Sequence, residues 1–145
     1  MPNDYKHKTS IQIRFADIDS LDHVNHAKHI TYMEHARINY FRDVIKTPVA
    51  WKEEGLILAK VVVDYKLPLL LGDTITVYTK CTRIGNKSFD LSYLIIKDLT
   101  PNPSPNGEGN IAATGLTTMV CYDYKRNKTI AVPEEWKKKM EEFEK

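Results

Sequence analysis

The chain has 145 residues, of which 42% are hydrophobic, and its 21 basic and 19 acidic residues leave a net charge of +2. We expect residues 1–145 to form a single domain, because this length suits one hydrophobic core. The balanced charge argues against a nucleic-acid partner, and no apolar run reaches the ~20 residues of a membrane span. The first ten residues lack the apolar region of a secretory signal, and Cys81 and Cys121 lie in apolar runs. The sequence therefore predicts a cytoplasmic protein.

The first predicted element is a strand over residues 9–16, where apolar residues up to Phe15 alternate with polar neighbours. From about residue 27 to residue 45 the period changes, and apolar residues at helical spacing cover more than half of the circumference. This pattern predicts a long helix that is mostly surrounded by other structure. Pro48 follows it, as expected soon after a helix end.

Four further strands are predicted in the rest of the chain, where β-branched and aromatic residues are frequent. They cover residues 57–67, 74–83, 88–97 and 111–122. Short links between successive strands favour antiparallel pairing, since parallel strands need a long crossover. The PNPSPNGEGN segment is predicted to be a loop, and Pro133 opens a short C-terminal helix. The sequence thus predicts an α+β fold with a five-stranded antiparallel sheet wrapped around one long central helix.

Carboxylates and histidines are concentrated where the first strand gives way to the long helix. The segment RFADIDSLDHVNHAKH contains Asp17, Asp19, Asp22, His23, His26 and His29. A helix N-terminus offers N–H groups and partial positive charge that can polarise a carbonyl oxygen. A carboxylate beside it can act as a base or a nucleophile on that carbonyl. The structural alternative is that Asp22 or Asn25 caps the helix, since both residue types are preferred there.

Metal binding fits this cluster poorly. The D-x-D pair opens like a calcium loop, but Leu21 and Asp22 occupy positions that need a ligand and a glycine. His26 and His29 lie three residues apart on the predicted helix, yet no H-E-x-x-H pattern and no further Cys/His cluster completes a zinc site. We therefore expect no metal at this cluster.

Two charged residues, Glu34 and Arg37, fall inside the apolar arc of the predicted helix. A charge on a buried face needs a partner, so one interpretation is an ion pair between these two residues. The other interpretation is that Glu34 positions a water molecule or a group of a catalytic site. The sequence alone leaves both open.

The same segment resembles the signature of hotdog-fold acyl thioesterases of the 4-hydroxybenzoyl-CoA thioesterase type. The chain reads D-x-D-x-x-D-H-V-N-x-A and then E-x-A-R, where the family reads roughly D-x-D-x-x-G-H-V-N-N-A-x-Y and then E-x-A-R. Leu71-Gly72-Asp73, Ile84-Gly85 with Ser88, and Pro133 also fall where the family has them. The resemblance covers nearly the whole chain. It implies a hotdog fold that hydrolyses an acyl-CoA or acyl carrier protein thioester without a cofactor.

The resemblance also implies roles for individual residues. Asp19 matches the catalytic carboxylate of the family, which attacks the thioester carbonyl or activates water to do so. The backbone N–H of His26 matches the group that polarises the thioester oxygen. Lys87, beside Ser88 at a predicted hairpin, matches a position where relatives contact the nucleotide phosphates of coenzyme A. Since the family places its active sites at subunit interfaces, a homodimer or homotetramer is expected.

The remaining predictions concern the H-V-N motif and the residues next to it. His23 and Asn25 of this motif are expected to contact the substrate. Asp22 stands where the family usually has glycine, and His26 and His29 replace an asparagine and a tyrosine. Aspartate tolerates a left-handed backbone better than most residues, so the turn is still feasible. The alternative function is a non-catalytic hotdog domain that binds acyl chains or a protein partner.

Overall fold

The structure, a computed structural model, describes residues 2–46, 54–98 and 110–145. Its strands and α-helices are β1 (His7–Gln12), α1 (His26–Tyr40), β2 (Glu54–Tyr65), β3 (Thr74–Ile84), β4 (Ser88–Asp98), β5 (Ile111–Asp123), β6 (Lys128–Thr129) and α2 (Glu134–Glu144). Pro48 and residues 101–109 of the predicted loop lie outside the described residues. Within those ranges, no helix is long and apolar enough to cross a membrane.

The strands form one antiparallel sheet in the order β1-β3-β4-β5-β2, and the short β6 pairs with β5. This confirms the predicted five-stranded antiparallel sheet and adds a two-residue strand to it. Side chains alternate between buried and partly exposed along β3 and along most of β5, as the period of two requires. β2 lies at one edge, where β5 is its neighbour among the described strands.

The long helix packs on the sheet through its buried face, which includes Met33, Ala36 and Tyr40. It continues into a π-helical turn over Phe41–Ile45, so the predicted helix is confirmed to its last residue. The contact with the sheet is close, because a Cβ added to Gly115 would lie 2.5 Å from Met33 Cε. A side chain at that position of β5 would therefore displace the end of the Met33 side chain.

The first strand differs from the prediction. β1 ends at Gln12, and the chain then turns through a short 3-10 helix at Phe15–Asp17. Phe15 was predicted to lie on the buried face of a strand and is instead 81% exposed. The cause is local, because the Asp17 carboxylate accepts the backbone N–H of Arg14 at 3.1 Å and holds the chain in a turn.

The C-terminal helix α2 is confirmed and covers one end of the core. It buries Trp136 and Met140, and the Trp136 ring meets the Phe41 ring edge-on with centroids 5.5 Å apart. Near its end, Glu144 accepts a hydrogen bond of 2.8 Å from the hydroxyl of Tyr40. The helix is therefore tied to α1 by both apolar and polar contacts.

Candidate active site

The start of α1 is held by backbone and side-chain hydrogen bonds. The side-chain oxygen of Asn25 accepts the N–H of Ala27 at 2.9 Å, so Asn25 is the N-cap. The N–H of Asn25 donates to the Asp17 carbonyl at 2.9 Å, and the N–H of Val24 donates to the Leu69 carbonyl at 2.8 Å. The capping interpretation is confirmed for Asn25, while its contact with a substrate stays a prediction.

Asp19 lies in a tight loop immediately before this helix. Its N–H donates to the His23 carbonyl at 2.9 Å, and its Oδ1 accepts the N–H of Leu21 at 2.9 Å. Its side chain is half-buried. The backbone therefore orients the carboxylate through one oxygen and leaves the other oxygen outside this loop contact.

Asp22 shapes the turn of the same loop. It adopts a left-handed backbone with φ of 65°, a conformation that glycine adopts without strain and aspartate tolerates better than most residues. Its N–H donates to the Asp19 carbonyl at 3.1 Å, and its side chain is exposed. Asp22 is therefore compatible with the turn and does not cap the helix.

Asp17 is the buried carboxylate of the cluster, with 1% of its surface exposed. It accepts hydrogen bonds from the Tyr32 hydroxyl at 2.7 Å and from Arg14, through the backbone N–H at 3.1 Å and the guanidinium at 3.5 Å. Burial alone would raise the pKa of Asp17, but the bonds from Tyr32 and Arg14 outweigh burial and lower it. Burial and the same hydrogen bond raise the pKa of Tyr32. Asp17 thus ties the loop to α1.

A pocket of about 250 Å³ opens beside the helix start. It is lined by residues of the loop, of the first turn of α1 and of the segment after β2, namely His23, Val24, His26, His29, Tyr65 and residues 66–69. His29 is buried, and burial lowers the pKa of its imidazole although hydrogen bonds to the backbone oppose the change. Burial therefore makes the His29 imidazole, which lies in the first turn of α1, harder to protonate.

Tyr65 is the residue of this pocket that the sequence did not indicate. Its hydroxyl donates to the His26 carbonyl at 2.8 Å, and its ring meets the His29 ring edge-on with centroids 4.9 Å apart. Tyr65 and His26 are 39 residues apart along the chain, and no local pattern connects a strand end to a helix start at that separation. Only the sheet topology brings them together.

Lys87 and Ser88 lie at the turn between β3 and β4. The exposed Lys87 ammonium is 3.4 Å from the hydroxyl of Thr129. The Ser88 hydroxyl accepts a hydrogen bond of 2.9 Å from the Arg83 guanidinium, which also pairs with Asp90 at 2.8 Å. Lys87 is thus the more accessible cation at this turn, because the Arg83 charge is already matched by a carboxylate.

Within one chain, this turn and the start of α1 lie at opposite ends of the sheet. Tyr65, which contacts His26, pairs with Ala113 of β5, whereas Ser88 pairs with Val120, seven residues further along the same strand. At ~3.3 Å per residue this separation is about 23 Å. A single chain therefore does not bring Lys87 and Ser88 to the helix start.

Glu34 does not lie on the buried face of α1, contrary to the prediction. Its side chain is 62% exposed, and its carboxylate is 3.9 Å from the Arg37 guanidinium, so the ion-pair interpretation is confirmed. Arg37 is the more buried partner and donates to the Tyr93 hydroxyl at 3.4 Å. Glu34 is exposed because the described part of the chain does not cover this side of α1, where Ile38 is also 62% exposed.

The start of α1 and the loop before it are suited to a reaction at a carbonyl group. Among residues 2–46, 54–98 and 110–145, no group of three or more His, Cys, Asp or Glu side chains is placed to hold a metal ion. The helix start instead provides N–H donors beside one pocket, and the Asp19 carboxylate lies in the preceding loop, from which His23 and Val24 line that pocket. Such a pair can stabilise an oxyanion and deliver a nucleophile.

Known proteins with similar sequences and structures indicate the family of this chain. Residues 13–140 match the thioesterase-like superfamily. The long-chain acyl-CoA thioesterase FadM of Escherichia coli (strain K12) is 28% identical over 139 residues, which cover 94% of this chain and 98% of that protein. A thioesterase from Thermus thermophilus, solved with coenzyme A and Zn, has a TM-score of 0.78 and 30% identity, with 97% and 95% of the two chains covered.

A more distant structure supports the fold alone. A 1,4-dihydroxy-2-naphthoyl-CoA thioesterase from Synechocystis has a TM-score of 0.76 at 18% identity, with 92% of this chain and 94% of that chain covered. The predicted hotdog arrangement, in which a curled antiparallel sheet holds a long helix and is followed by a short C-terminal helix, is confirmed.

Proposed function

Because the chain belongs to the thioesterase-like superfamily and is a thioesterase, we propose that it hydrolyses an acyl-coenzyme A ester to a free carboxylic acid and coenzyme A. The observation that carries this proposal is the Asp19 carboxylate, held in the loop before the N-terminus of α1, from which His23 and Val24 line the pocket. A thioester of acyl carrier protein presents the same carbonyl group. The rate with an acyl-pantetheine ester, which lacks the nucleotide, distinguishes a coenzyme A substrate from a carrier-protein substrate.

In the proposed reaction, the helix start binds the thioester oxygen. His26 is the first residue of α1, so its N–H has no partner within the helix. This N–H and the positive end of the helix dipole stabilise the negative charge that develops on the oxygen. Binding at this point directs the carbonyl carbon towards the loop that carries Asp19.

Asp19 supplies the attack on that carbon. Since Leu21 holds Oδ1, the other oxygen either attacks the carbonyl directly or takes a proton from an attacking water. In the direct route the C–S bond breaks as an anhydride forms between the acyl group and Asp19, and water then attacks the acyl carbon, which releases the acid and regenerates the carboxylate. In the water route the C–S bond breaks when the adduct of water and the thioester collapses to the acid. In both routes a proton that water supplies reaches the coenzyme A thiolate. His23, which lines the pocket, and the Asn25 amide are proposed substrate contacts on either side of the reacting group.

We further propose a homo-oligomer in which two copies of β2 pair. Among the described strands β2 lies at an edge of the sheet, and it exposes large apolar residues, namely Ile57, Leu58, Val62 and Tyr65. An open apolar edge with unpaired backbone groups is a template for pairing with another chain. A second copy of β2 has the same length and the same exposed apolar side chains, so it can pair with the first.

Such a dimer would complete the binding site. A two-fold axis reverses the strand direction, so the β3–β4 turn of one copy would reach the end of the sheet that carries the helix start of the other. Lys87 of the partner subunit would then lie three strand spacings, about 14 Å, across the sheet from Tyr65. Lys87 and Ser88 are proposed to contact the nucleotide part of the substrate from there. The exposed Glu34 could position a water molecule only beside such a second chain.

Two broader expectations also stay proposals. Buried residues from β1 to α2 belong to one hydrophobic core, which supports a single domain over residues 1–145. Cys81 and Cys121 are both buried thiols, which suits a reducing compartment such as the cytoplasm.

The proposed activity is tested by thiol release from acetyl-, benzoyl- and palmitoyl-coenzyme A. We expect at least one ester to be hydrolysed with a kcat/KM of about 10⁴ M⁻¹s⁻¹ or more, the lower end of the usual range for enzymes. The rate is measured against heat-denatured protein. If no ester of a panel with short, aromatic and long acyl groups reacts faster than this control, the proposal is wrong.

A further inference from the structure

Tyr65 connects the edge strand to the first residue of α1. It is the last residue of β2, and the chain leaves the sheet directly after it, where the next two N–H groups both donate to the Ala112 carbonyl. Its hydroxyl donates to the His26 carbonyl at 2.8 Å, and its ring lies edge-on to the His29 ring at 4.9 Å. One side chain therefore contacts both residues of the first helical turn that line the pocket.

The hydrogen bond from Tyr65 to His26 matters more in this connection than the packing of the Tyr65 ring. Tyr65 is 49% exposed, so its ring adds little to the core, whereas its hydroxyl meets a backbone carbonyl. That carbonyl belongs to the residue whose N–H is proposed to bind the thioester oxygen. The carbonyl and the N–H of His26 belong to adjacent peptide planes that meet at its Cα, so as long as His26 keeps its helical φ and ψ, a restraint on the carbonyl also restrains the direction of the N–H.

We propose that Tyr65 is a positioning residue for thioester hydrolysis, which holds the His26 N–H in the direction that the substrate oxygen requires. The inference rests on the proposed function. The Asn25 cap orders the helix start from the loop side, and Tyr65 orders it from the sheet side. Small misplacements of a group that contacts the reacting atoms lower the rate of the chemical step more than they lower binding.

The test compares Tyr65→Phe with a matched control, Tyr124→Phe. Tyr124 is 41% exposed, and its hydroxyl donates to the Leu56 carbonyl at 3.1 Å, near the other end of β2. With an ester that the wild-type protein hydrolyses, Tyr65→Phe is expected to lower kcat about 3- to 10-fold, the effect of one hydrogen bond used in the transition state. KM should stay within about twofold, and Tyr124→Phe should change neither constant.

A second readout needs no substrate. In ¹⁵N-labelled protein, Tyr65→Phe should shift the amide resonances of His26 and Ala27, and Tyr124→Phe should leave them in place. Light scattering must give the same mass for all three proteins, because Tyr65 lies on the edge strand. The inference is overturned by an unchanged kcat in Tyr65→Phe, by an equal loss in Tyr124→Phe, by unmoved His26 and Ala27 resonances, or by a changed mass. Absence of hydrolysis by the wild-type protein rejects the proposed function instead, and the resonances still decide the contact.

Discussion

Replacing Asp17 by asparagine removes a buried charge from the loop before α1 and keeps the shape of the side chain. The carboxylate accepts hydrogen bonds from the Tyr32 hydroxyl and from the backbone and side chain of Arg14. A hydrogen bond to a charged group contributes ~1.5–3 kcal/mol, and asparagine keeps one of the two acceptor oxygens. We therefore expect Asp17→Asn to lower the free energy of unfolding at pH 7 by about 2 kcal/mol.

The pKa of Asp17 determines how the stability difference between wild type and Asp17→Asn changes with pH. The folded-state pKa of Asp17 lies below the ordinary value of 3.8, because the hydrogen bonds from Tyr32 and Arg14 outweigh burial. A carboxyl group with a lowered folded pKa contributes stability that is fully present above the unfolded value and is lost as the pH falls through the folded value. The stability difference between wild type and Asp17→Asn should therefore narrow as the pH falls below 3.8.

Urea unfolding followed by circular dichroism at pH 7 and pH 3 measures this difference. Asp22→Asn is the matched control, since it removes one exposed charge from the same loop at a left-handed position that asparagine tolerates. Its free energy of unfolding should change by less than about 0.5 kcal/mol. Equal losses in the two variants would refute the assignment to the Asp17 contacts. A difference that stays constant down to pH 3 would refute the direction of its pKa.

Two further predictions concern the second half of the site. Lys87→Ala should raise KM for acyl-coenzyme A about two- to fivefold with little change in kcat, as expected for a solvated lysine–phosphate contact; an equal rise with an acyl-pantetheine ester would count against it. Val62→Lys places a charge on an edge-strand residue that is 43% exposed. It should lower both the mass in light scattering and kcat/KM, and an unchanged mass would exclude pairing through β2.

Local patterns were sufficient for most elements of the fold. The period of α1 and the β-branched runs of β3, β4 and β5 are properties of contiguous residues, and each of these elements was predicted to within about two residues. The thioesterase-like family and the hotdog fold were likewise predicted from one continuous motif and are confirmed. The end of β1 was predicted four residues too late, because alternation of apolar and polar residues does not show that Asp17 accepts the Arg14 N–H and turns the chain.

The candidate site could be predicted only where it is local. Asp19 and the start of α1 are adjacent in sequence, so the motif indicates both. The exposure of Glu34 depends on which side of α1 the sheet covers, and the helical period does not contain that information. Tyr65 lines the pocket because the order of strands in the sheet places the end of β2 beside the start of α1. Lys87 would approach the pocket only in the proposed oligomer. Neither position can be predicted from the residues next to it in the sequence.

The kcat of Asp19→Asn with an acyl-coenzyme A ester tests most directly whether Asp19 performs the hydrolysis. Asparagine keeps an oxygen that can accept the Leu21 N–H, and it removes the base or nucleophile. We predict that kcat falls by at least ~10²-fold, while a non-hydrolysable acyl-coenzyme A analogue binds with a Kd within about threefold of wild type, since the pocket and the helix N–H groups remain. Asp22→Asn should stay active under the same conditions. A kcat close to wild type in Asp19→Asn would contradict the proposed mechanism, and loss of activity in Asp22→Asn alone would transfer the role to Asp22.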